Sequence, residues 1–154
     1  IQLNEKQKVK FVYGILEKQF RAYYEKATTM PGKTGENLLS LVERRLDNVV
    51  YRLGFANSRT QARQLVRHGV FRLNGHKVTI PSLQVKVGDS VEVPEKSRTI
   101  PVLAEAQEAV ARRGCPSWLE VDAPNFKGIV KALPQRDDIQ FPINEHLIVE
   151  LYSK

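Results

Sequence analysis

Apolar side chains recur every three or four positions in the N-terminal part of the chain, which is the spacing of one face of an α-helix. The first stripe runs through Val9, Val12, Leu16, Phe20 and Tyr23. The second runs through Leu38, Leu41, Val42, Leu46, Val49, Val50 and Leu53. We therefore predict one helix that is capped by Asn4 and kinked or broken at Gly14, and a second helix that ends before Gly54.

The segment "SRTQARQLVRHGVFRLNGHKV", residues 58–78, combines two patterns. After Asn57 or Ser58 as a cap, apolar positions follow helical spacing on one side, while arginines recur every four residues on another. These arginines are Arg59, Arg63 and Arg67. Asn74-Gly75 then joins two short apolar runs, and this dipeptide favours the tight turn of a β-hairpin.

The rest of the chain alternates strand and helix signals. "LQVKVGDSVEV" predicts two short strands around Gly88-Asp89, and "IPVLAEAQEAVARRG" predicts a helix that starts near Pro101 and ends before Gly114. "SWLEVD" and "FKGIVKAL" are typical of strands, "PQRDDIQFP" of a proline-bounded loop, and "INEHLIVELYSK" of a last helix. This order favours an α+β fold over a doubly wound parallel sheet.

Positive charge is concentrated in the first half. The net charge is +7; residues 1–78 contain 15 Lys/Arg against 6 Asp/Glu, whereas residues 79–154 contain 9 against 11. Such asymmetry favours a polyanionic partner, either nucleic acid or an acidic membrane surface. No apolar run approaches the roughly 18 to 20 residues that span a bilayer, so we expect no membrane association and a cytoplasmic location. The single cysteine, Cys115, permits neither an internal disulfide nor a zinc site.

Known catalytic motifs are missing from the sequence. It contains no phosphate-binding glycine loop, no nucleophile elbow and no zinc-protease helix, and Asp137-Asp138 is a candidate only for a solvated turn. We expect a protein that is not an enzyme and that has no cofactor, no metal and no small-molecule substrate.

The arginine-rich segment has a simpler interpretation, an ordinary solvated helix face. Such faces mix acids with bases, yet there is no Asp or Glu from Arg52 to Arg72. Arginine also predominates there, and its planar fork grips phosphate at two points. RNA is favoured over duplex DNA because helices meet folded RNA through phosphates and 2′-hydroxyls, although a DNA-reading helix stays open. We therefore expect Arg63→Ala or Arg67→Ala to weaken RNA binding and to leave stability nearly unchanged.

Residues 44–82, "RRLDNVVYRLGFANSRTQARQLVRHGVFRLNGHKVTIPS", resemble the S-four RNA-binding module. The flanks "EKQKVKFVYGILEKQFRAYYEKA", "PSWLEVD", "FKGIVKALPQRDDI" and "INEHLIVELYSK" are similar to the S-four family of bacterial small-subunit ribosomal proteins. The resemblance covers nearly the whole chain. It implies a helical domain, residues 1–40 plus 135–154, interrupted by an inserted RNA-binding domain of residues 41–134 with a small antiparallel sheet, whose core module spans about residues 41–94.

The resemblance also implies function. It implies a structural protein that binds 16S rRNA directly and early in small-subunit assembly, at a multi-helix junction of the 5′ domain. It implies a contact with ribosomal protein S-five that is tied to decoding accuracy and, in some members, repression of the protein's own operon through its mRNA. Bacterial members begin with a further basic segment, which in some holds zinc, and its absence here leads us to expect a fragment.

Sixteen polar and basic residues are the candidate RNA contacts, from the arginine pattern and from the matching positions of the module. They are Arg44, Arg45, Asn48, Arg52, Asn57, Ser58, Arg59, Thr60, Gln61, Arg63, Arg67, His68, Arg72, Asn74, His76 and Lys77. Pseudouridine synthases and tyrosyl-tRNA synthetases have the same module, but they need a separate catalytic domain for which too little chain remains. A heat-shock protein that binds the large ribosomal subunit shares the module without the flanks quoted above.

Overall fold

A computed structural model describes residues 1–140 and 142–153. In these residues seven α-helices combine with one five-stranded antiparallel sheet, which confirms the predicted α+β class. The helices are α1 (Gln2–Tyr13), α2 (Glu17–Thr29), α3 (Thr34–Glu43), α4 (Leu46–Arg52), α5 (Arg59–Arg67), α6 (Pro101–Arg113) and α7 (Glu145–Ser153). The strands are β1 (Arg72–Leu73), β2 (His76–Lys77), β3 (Ser90–Glu92), β4 (Leu119–Asp122) and β5 (Lys127–Val130). Two 3-10 turns span Glu95–Ser97 and Arg136–Asp138.

The chain divides into two compact units. Ile1–Glu43 and the described residues of Pro134–Lys154 form one, which we call the helical unit, and Arg44–Leu133 form the other, the mixed unit. Each unit has a hydrophobic core of its own. That these units act as the predicted helical and RNA-binding domains stays a proposal.

In the helical unit, α1 and α2 are separate helices. Gly14 has a left-handed backbone (φ 68°, ψ 42°) that ends α1, a conformation that costs glycine least, so the expected kink or break is a full break. The expected cap at Asn4 is wrong, because Asn4 lies inside α1 and Ile1 precedes the helix. The predicted loop at "PQRDDIQFP" contains the 3-10 turn Arg136–Asp138, and its Phe141 lies outside the described residues.

The second predicted helix is also two helices. Arg45 has an extended backbone (φ −66°, ψ 141°), and Leu46 N–H donates to the carbonyl of Leu83 at 2.8 Å. The apolar stripe continues across this break, but its two halves enter different cores. Leu38, Leu41 and Val42 are buried in the helical unit, whereas Leu46, Val49, Val50 and Leu53 are buried in the mixed unit. Periodicity alone does not distinguish one core from two.

The sheet of the mixed unit has the strand order β2-β1-β3-β5-β4. The predicted hairpin is confirmed: Arg72 pairs with Lys77 and Leu73 with His76, with Asn74 (φ 52°) and Gly75 (φ 83°) at the turn. The strands expected in "SWLEVD" and "FKGIVKAL" are β4 and β5. Of the two strands expected around Gly88-Asp89, only β3 forms. In place of the other strand, Gln84 makes a single β-bridge to Arg45.

Two glycines allow close packing around the end of α4. A Cβ on Gly128, in β5, would lie 2.4 Å from Cδ2 of Leu53, and one on Gly54 would lie 2.3 Å from Cγ1 of Val110 on α6. The C-terminal end of α4 therefore packs against both the sheet and α6. None of the helices in residues 1–140 and 142–153 is long and apolar enough to cross a membrane.

Candidate nucleic-acid interface

Helix α5 presents the arginines, and its start is fixed by side-chain hydrogen bonds. Ser58 has an extended backbone, and its hydroxyl oxygen accepts a hydrogen bond from Gln61 N–H at 3.0 Å. The Gln61 side-chain oxygen in turn accepts from Asn57 N–H at 2.6 Å. Of the two expected caps Ser58 is the one used, as its oxygen satisfies one of the unpaired N–H groups of the first turn. Ala62 and Val66 are buried beneath the helix.

A buried carboxylate lies under this surface. The Asp47 side chain is 1% exposed and receives two hydrogen bonds from Arg45, from Nε at 3.1 Å and from Nη2 at 2.9 Å. Asn48 N–H donates to the same carboxylate at 2.7 Å. Arg45 and Asn48 were expected to be exposed contacts, and this is wrong: Arg45 is 3% exposed and Asn48 is fully buried. Their polar groups form hydrogen bonds with Asp47 inside the protein and so stabilise the fold.

Asp47 and Asn48 also contact two arginines of α5. Arg63 Nε lies 3.3 Å from Oδ2 of Asp47, and Arg59 Nε donates to Oδ1 of Asn48 at 2.8 Å. The guanidinium carbon of Arg59 is 4.7 Å from the ring centroid of Tyr51. Both arginines are therefore oriented by partners below them, and the expectation that removing Arg63 would leave stability unchanged is not supported.

Arg67 differs from its two neighbours in the pattern. Its side chain is exposed, and no carboxylate of residues 1–140 or 142–153 lies within ion-pairing distance of it. His68, the next residue, is exposed as well. Arg67 is thus the arginine of α5 that presents its charge to solvent most directly.

The hairpin adds charge beside the end of α5. A Cβ on Gly69 would lie 2.3 Å from Cε of Lys77, so the Lys77 side chain crosses the backbone where α5 ends. A cation at a helix C-terminus is favoured by the helix dipole. Lys77 and His76 are exposed. The absence of a side chain at Gly69 therefore brings a lysine of β2 next to the arginine-bearing helix.

Two candidates are partly occupied by contacts within the protein. The Asn74 side chain donates to Oδ1 of Asp89 at 3.0 Å and accepts from Ser90 N–H at 2.9 Å, which fixes the hairpin against β3. Arg44 is partly buried, donates from Nε to the carbonyl of Val85 at 3.2 Å, and has its pKa lowered by burial. Asn74 remains exposed at the turn.

All sixteen predicted contacts lie in the mixed unit, and most of them reach its surface. The exposed ones are Asn57, Ser58, Thr60, Arg67, His68, Asn74, His76 and Lys77. The partly exposed ones are Arg44, Arg52, Arg59, Gln61, Arg63 and Arg72. Only Arg45 and Asn48 of the sixteen are buried.

Sequence reasoning missed two residues. Asp47 is the counter-ion that the stretch from Arg52 to Arg72 lacks, and its position next to Arg45 in "RRLDN" was the available signal. Arg113, at the end of α6, donates to the carbonyl of Tyr51 at 2.9 Å, and no local pattern shows that it lies there. Among the described residues, no group of three or more His, Cys, Asp or Glu side chains could hold a metal ion.

Two family models match adjacent segments of the chain. A model described as "S4 domain" matches residues 44–91, and one described as "Ribosomal protein S4/S9 N-terminal domain" matches residues 1–43. The chain is 77% identical over all its 154 residues to the small ribosomal subunit protein uS4 of Nitratidesulfovibrio vulgaris, of which it covers 74%. The chain belongs to the uS4 family of ribosomal proteins.

Other uS4 proteins match over the same extent. Those of Lawsonia intracellularis and Solidesulfovibrio magneticus are 77% and 66% identical, each over the full chain and 74% of the relative. The S-four resemblance of the sequence is thereby confirmed. Membership in a family of ribosomal proteins also agrees with the prediction that the chain is not an enzyme.

Proposed function

We propose that this chain binds 16S rRNA directly, as a structural component of the small ribosomal subunit. The observation that carries the proposal is the cationic surface of the mixed unit, formed by α5 and the β1-β2 hairpin. Arg67, His68, His76 and Lys77 are exposed there, and Arg59 and Arg63 lie beside them, held from below. The uS4 relatives are named as small-subunit proteins, which supports the ribosome as its location.

The polar groups of this surface suit a phosphate backbone. Arginine binds phosphate with two parallel N–H donors, and the exposed hydroxyls of Ser58 and Thr60 are short donors of the kind that contact phosphate and ribose. A helix cannot enter the deep groove of A-form RNA. We infer that α5 lies across phosphates and 2′-hydroxyls where RNA helices meet.

The fixed orientation of Arg59 and Arg63 favours affinity for RNA. A long side chain that is already held in one position loses less conformational entropy when it binds. Asp47, Asn48 and Tyr51 restrain Arg59 and Arg63 in this way. The proposed surface is therefore largely formed before RNA arrives.

Finer parts of the proposal rest on the family resemblance. They are binding early in assembly at a multi-helix junction of the 5′ domain, contact with ribosomal protein S-five with an effect on decoding accuracy, and repression of the protein's own operon through its mRNA. Chemical footprinting of 16S rRNA with and without this chain tests the first. Co-sedimentation with purified S-five on a reconstituted subunit tests the second, and translation of the operon mRNA with added chain tests the third.

Salt dependence of binding tests the central proposal. If about six phosphates are neutralised, affinity for a 5′-domain transcript of 16S rRNA falls roughly a thousandfold between about 50 and 200 mM salt. Filter binding across that range measures the slope. A slope near zero would contradict a phosphate-binding surface.

Two controls sharpen the measurement. A duplex DNA competitor of equal charge separates RNA from DNA recognition, since a surface fitted to an RNA junction retains its transcript against excess duplex. Arg136→Ala is no suitable control because that side chain binds Glu145 at 3.0 Å and supports the helical unit. Lys131→Ala is suitable, because Lys131 is exposed in the mixed unit but lies after β5, away in sequence from α5 and the hairpin.

A further inference from the structure

Two arginines from distant parts of the chain contact one tyrosine. The guanidinium carbon of Arg59, on α5, lies 4.7 Å from the ring centroid of Tyr51, and that of Arg113, on α6, lies 4.2 Å from the same centroid. Arg113 also donates from Nη2 to the backbone carbonyl of Tyr51 at 2.9 Å. The end of α6 is thereby joined to the helix pair that presents the arginine surface.

Arg113 keeps most of its binding capacity despite these contacts. A guanidinium has five N–H donors, and the Tyr51 carbonyl takes one of them. The side chain is exposed. The cation–π contact with Tyr51 restrains the guanidinium, and the N–H groups that stay exposed suit phosphate.

The surroundings of Arg113 are positive. Burial raises the pKa of the Cys115 thiol, whereas the charges of Arg113 and Arg52 act in the opposite direction, so both cations lie near the same thiol. The acids of α6 stand further from its end. Glu105 accepts from Asn57 at 3.4 Å, and in the described part of the chain no ion pair joins Glu108 to Arg112.

We infer that the RNA-binding surface extends beyond the S-four module onto the C-terminal end of α6, where Arg113 binds a phosphate of the same RNA strand region that Arg59 approaches. This inference rests on the proposed function. The residues matched by the S4 domain model end at 91, so Arg113 lies outside the matched module, in the later part of the mixed unit.

The chain provides a matched control in Arg98. Its Nε donates to the carbonyl of Val93 at 3.0 Å, and its guanidinium carbon lies 5.4 Å from the ring centroid of Phe126. Arg98 thus has the same two kinds of contact as Arg113. It precedes the N-terminus of α6, and a helix of 13 residues separates the two by about 20 Å.

The test compares the salt slopes of Arg113→Ala and Arg98→Ala with a 5′-domain transcript of 16S rRNA. We expect Arg113→Ala to weaken binding about three- to tenfold and to reduce the slope of log affinity against log salt by about one, because one phosphate contact is lost. Arg98→Ala should leave the slope unchanged. The slope reports phosphate contacts, so a purely structural role of Arg113 would not alter it.

A second variant covers the possibility that Arg113→Ala fails to fold. Arg113→Gln keeps an amide that can donate to the Tyr51 carbonyl but removes the charge, and it should show the same loss of slope. If both folded variants retain the wild-type slope while Arg67→Ala loses one contact, the inference is overturned and the proposed function stands. If the wild-type chain itself shows no salt-dependent RNA binding, both are overturned.

Discussion

Two ion-paired carboxylates, Glu17 in the helical unit and Asp47 in the mixed unit, lie at different depths. In the helical unit, Glu17 is at the surface with 42% of its side chain exposed, and its oxygens bind Lys6 at 3.0 Å and Lys10 at 2.9 Å. In the mixed unit, Asp47 is 1% exposed and binds Arg45 and, on its outer side, Arg63. The ion pairs are chemically similar, but their positions differ.

The depth of a carboxylate determines which charges the protein surface presents to a polyanion. A surface carboxylate presents negative charge beside the lysines that it neutralises, whereas the buried Asp47 contacts Arg63 from beneath and leaves that side chain partly exposed. Charge count alone does not make this distinction, because both acids offset basic residues. The mixed unit therefore combines structural pairing with a cationic exterior, as the proposed RNA surface requires.

The largest effect is expected from Asp47→Ala. It leaves the buried guanidinium of Arg45 without its carboxylate, and breaking a buried pair in this way costs about 3 to 5 kcal/mol of unfolding free energy. Urea denaturation measures the loss. Glu120→Gln, at an exposed position on β4, is the control and should change stability by less than about 0.5 kcal/mol. Equal effects of the two substitutions would mean that Asp47 is not a buried partner in solution.

A smaller effect is expected from Arg63→Ala. Asp47 keeps Arg45 as a partner in this variant, so we expect a loss of about 1 to 3 kcal/mol together with weaker RNA binding. Arg67→Ala, one turn along the same helix, is the matched variant: its stability should stay within about 0.5 kcal/mol of wild type, while the RNA salt slope falls by about one. If the two variants have the same unfolding free energy, Arg63 is not held by Asp47 in solution, and its proposed difference from the solvent-facing Arg67 is wrong.

The smallest effect is expected in the helical unit, from Glu17→Gln. Burial pushes the pKa of Glu17 upward, but hydrogen bonds from Lys10, Lys6 and Tyr152 outweigh it and lower the pKa to about 2, from an ordinary value of 4.5. A lowered pKa stabilises the fold above the unfolded value, and this stabilisation is lost as the pH falls from about 4.5 to about 2. Because the carboxylate is partly exposed, we expect less than about 1 kcal/mol.

The measurement for Glu17 is unfolding free energy against pH. Glu17→Gln should flatten the dependence between about pH 4.5 and 2, whereas Glu25→Gln, an exposed position on the same helix, should leave it as in wild type. A wild-type curve that is already flat over this range would show that the surface pair contributes nothing to stability.

Local signals predicted much of the fold. Ser58 as a cap, Asn74-Gly75 as a turn, and Pro101 and Gly114 as the limits of α6 were predicted from residue type, because each depends on backbone preferences within a few positions. The single helix expected over residues 38–53 was wrong for a related reason. Helical periodicity reports that one face is apolar, and it does not report that the face is divided between two cores.

The sequence predicted where the candidate site lies, but not which of its arginines are paired with a carboxylate. The arginine spacing identified α5 and its basic face, and most of the sixteen residues lie at the surface of the mixed unit. Whether these arginines had counter-ions depended on Asp47, which precedes the acid-free stretch and reaches Arg63 only because α4 packs against α5.

The sequence by itself determined the family, the α+β class, the basic helix and the hairpin beside it, since these follow from residue identity and short-range spacing. Only the tertiary structure decided that Arg45 and Asn48 are buried, that Asp47 restrains Arg63, and that Arg113 shares Tyr51 with Arg59. The physical reason is that burial and ion pairing depend on distances in space, and the packing of helices against the sheet sets those distances between residues far apart in the chain.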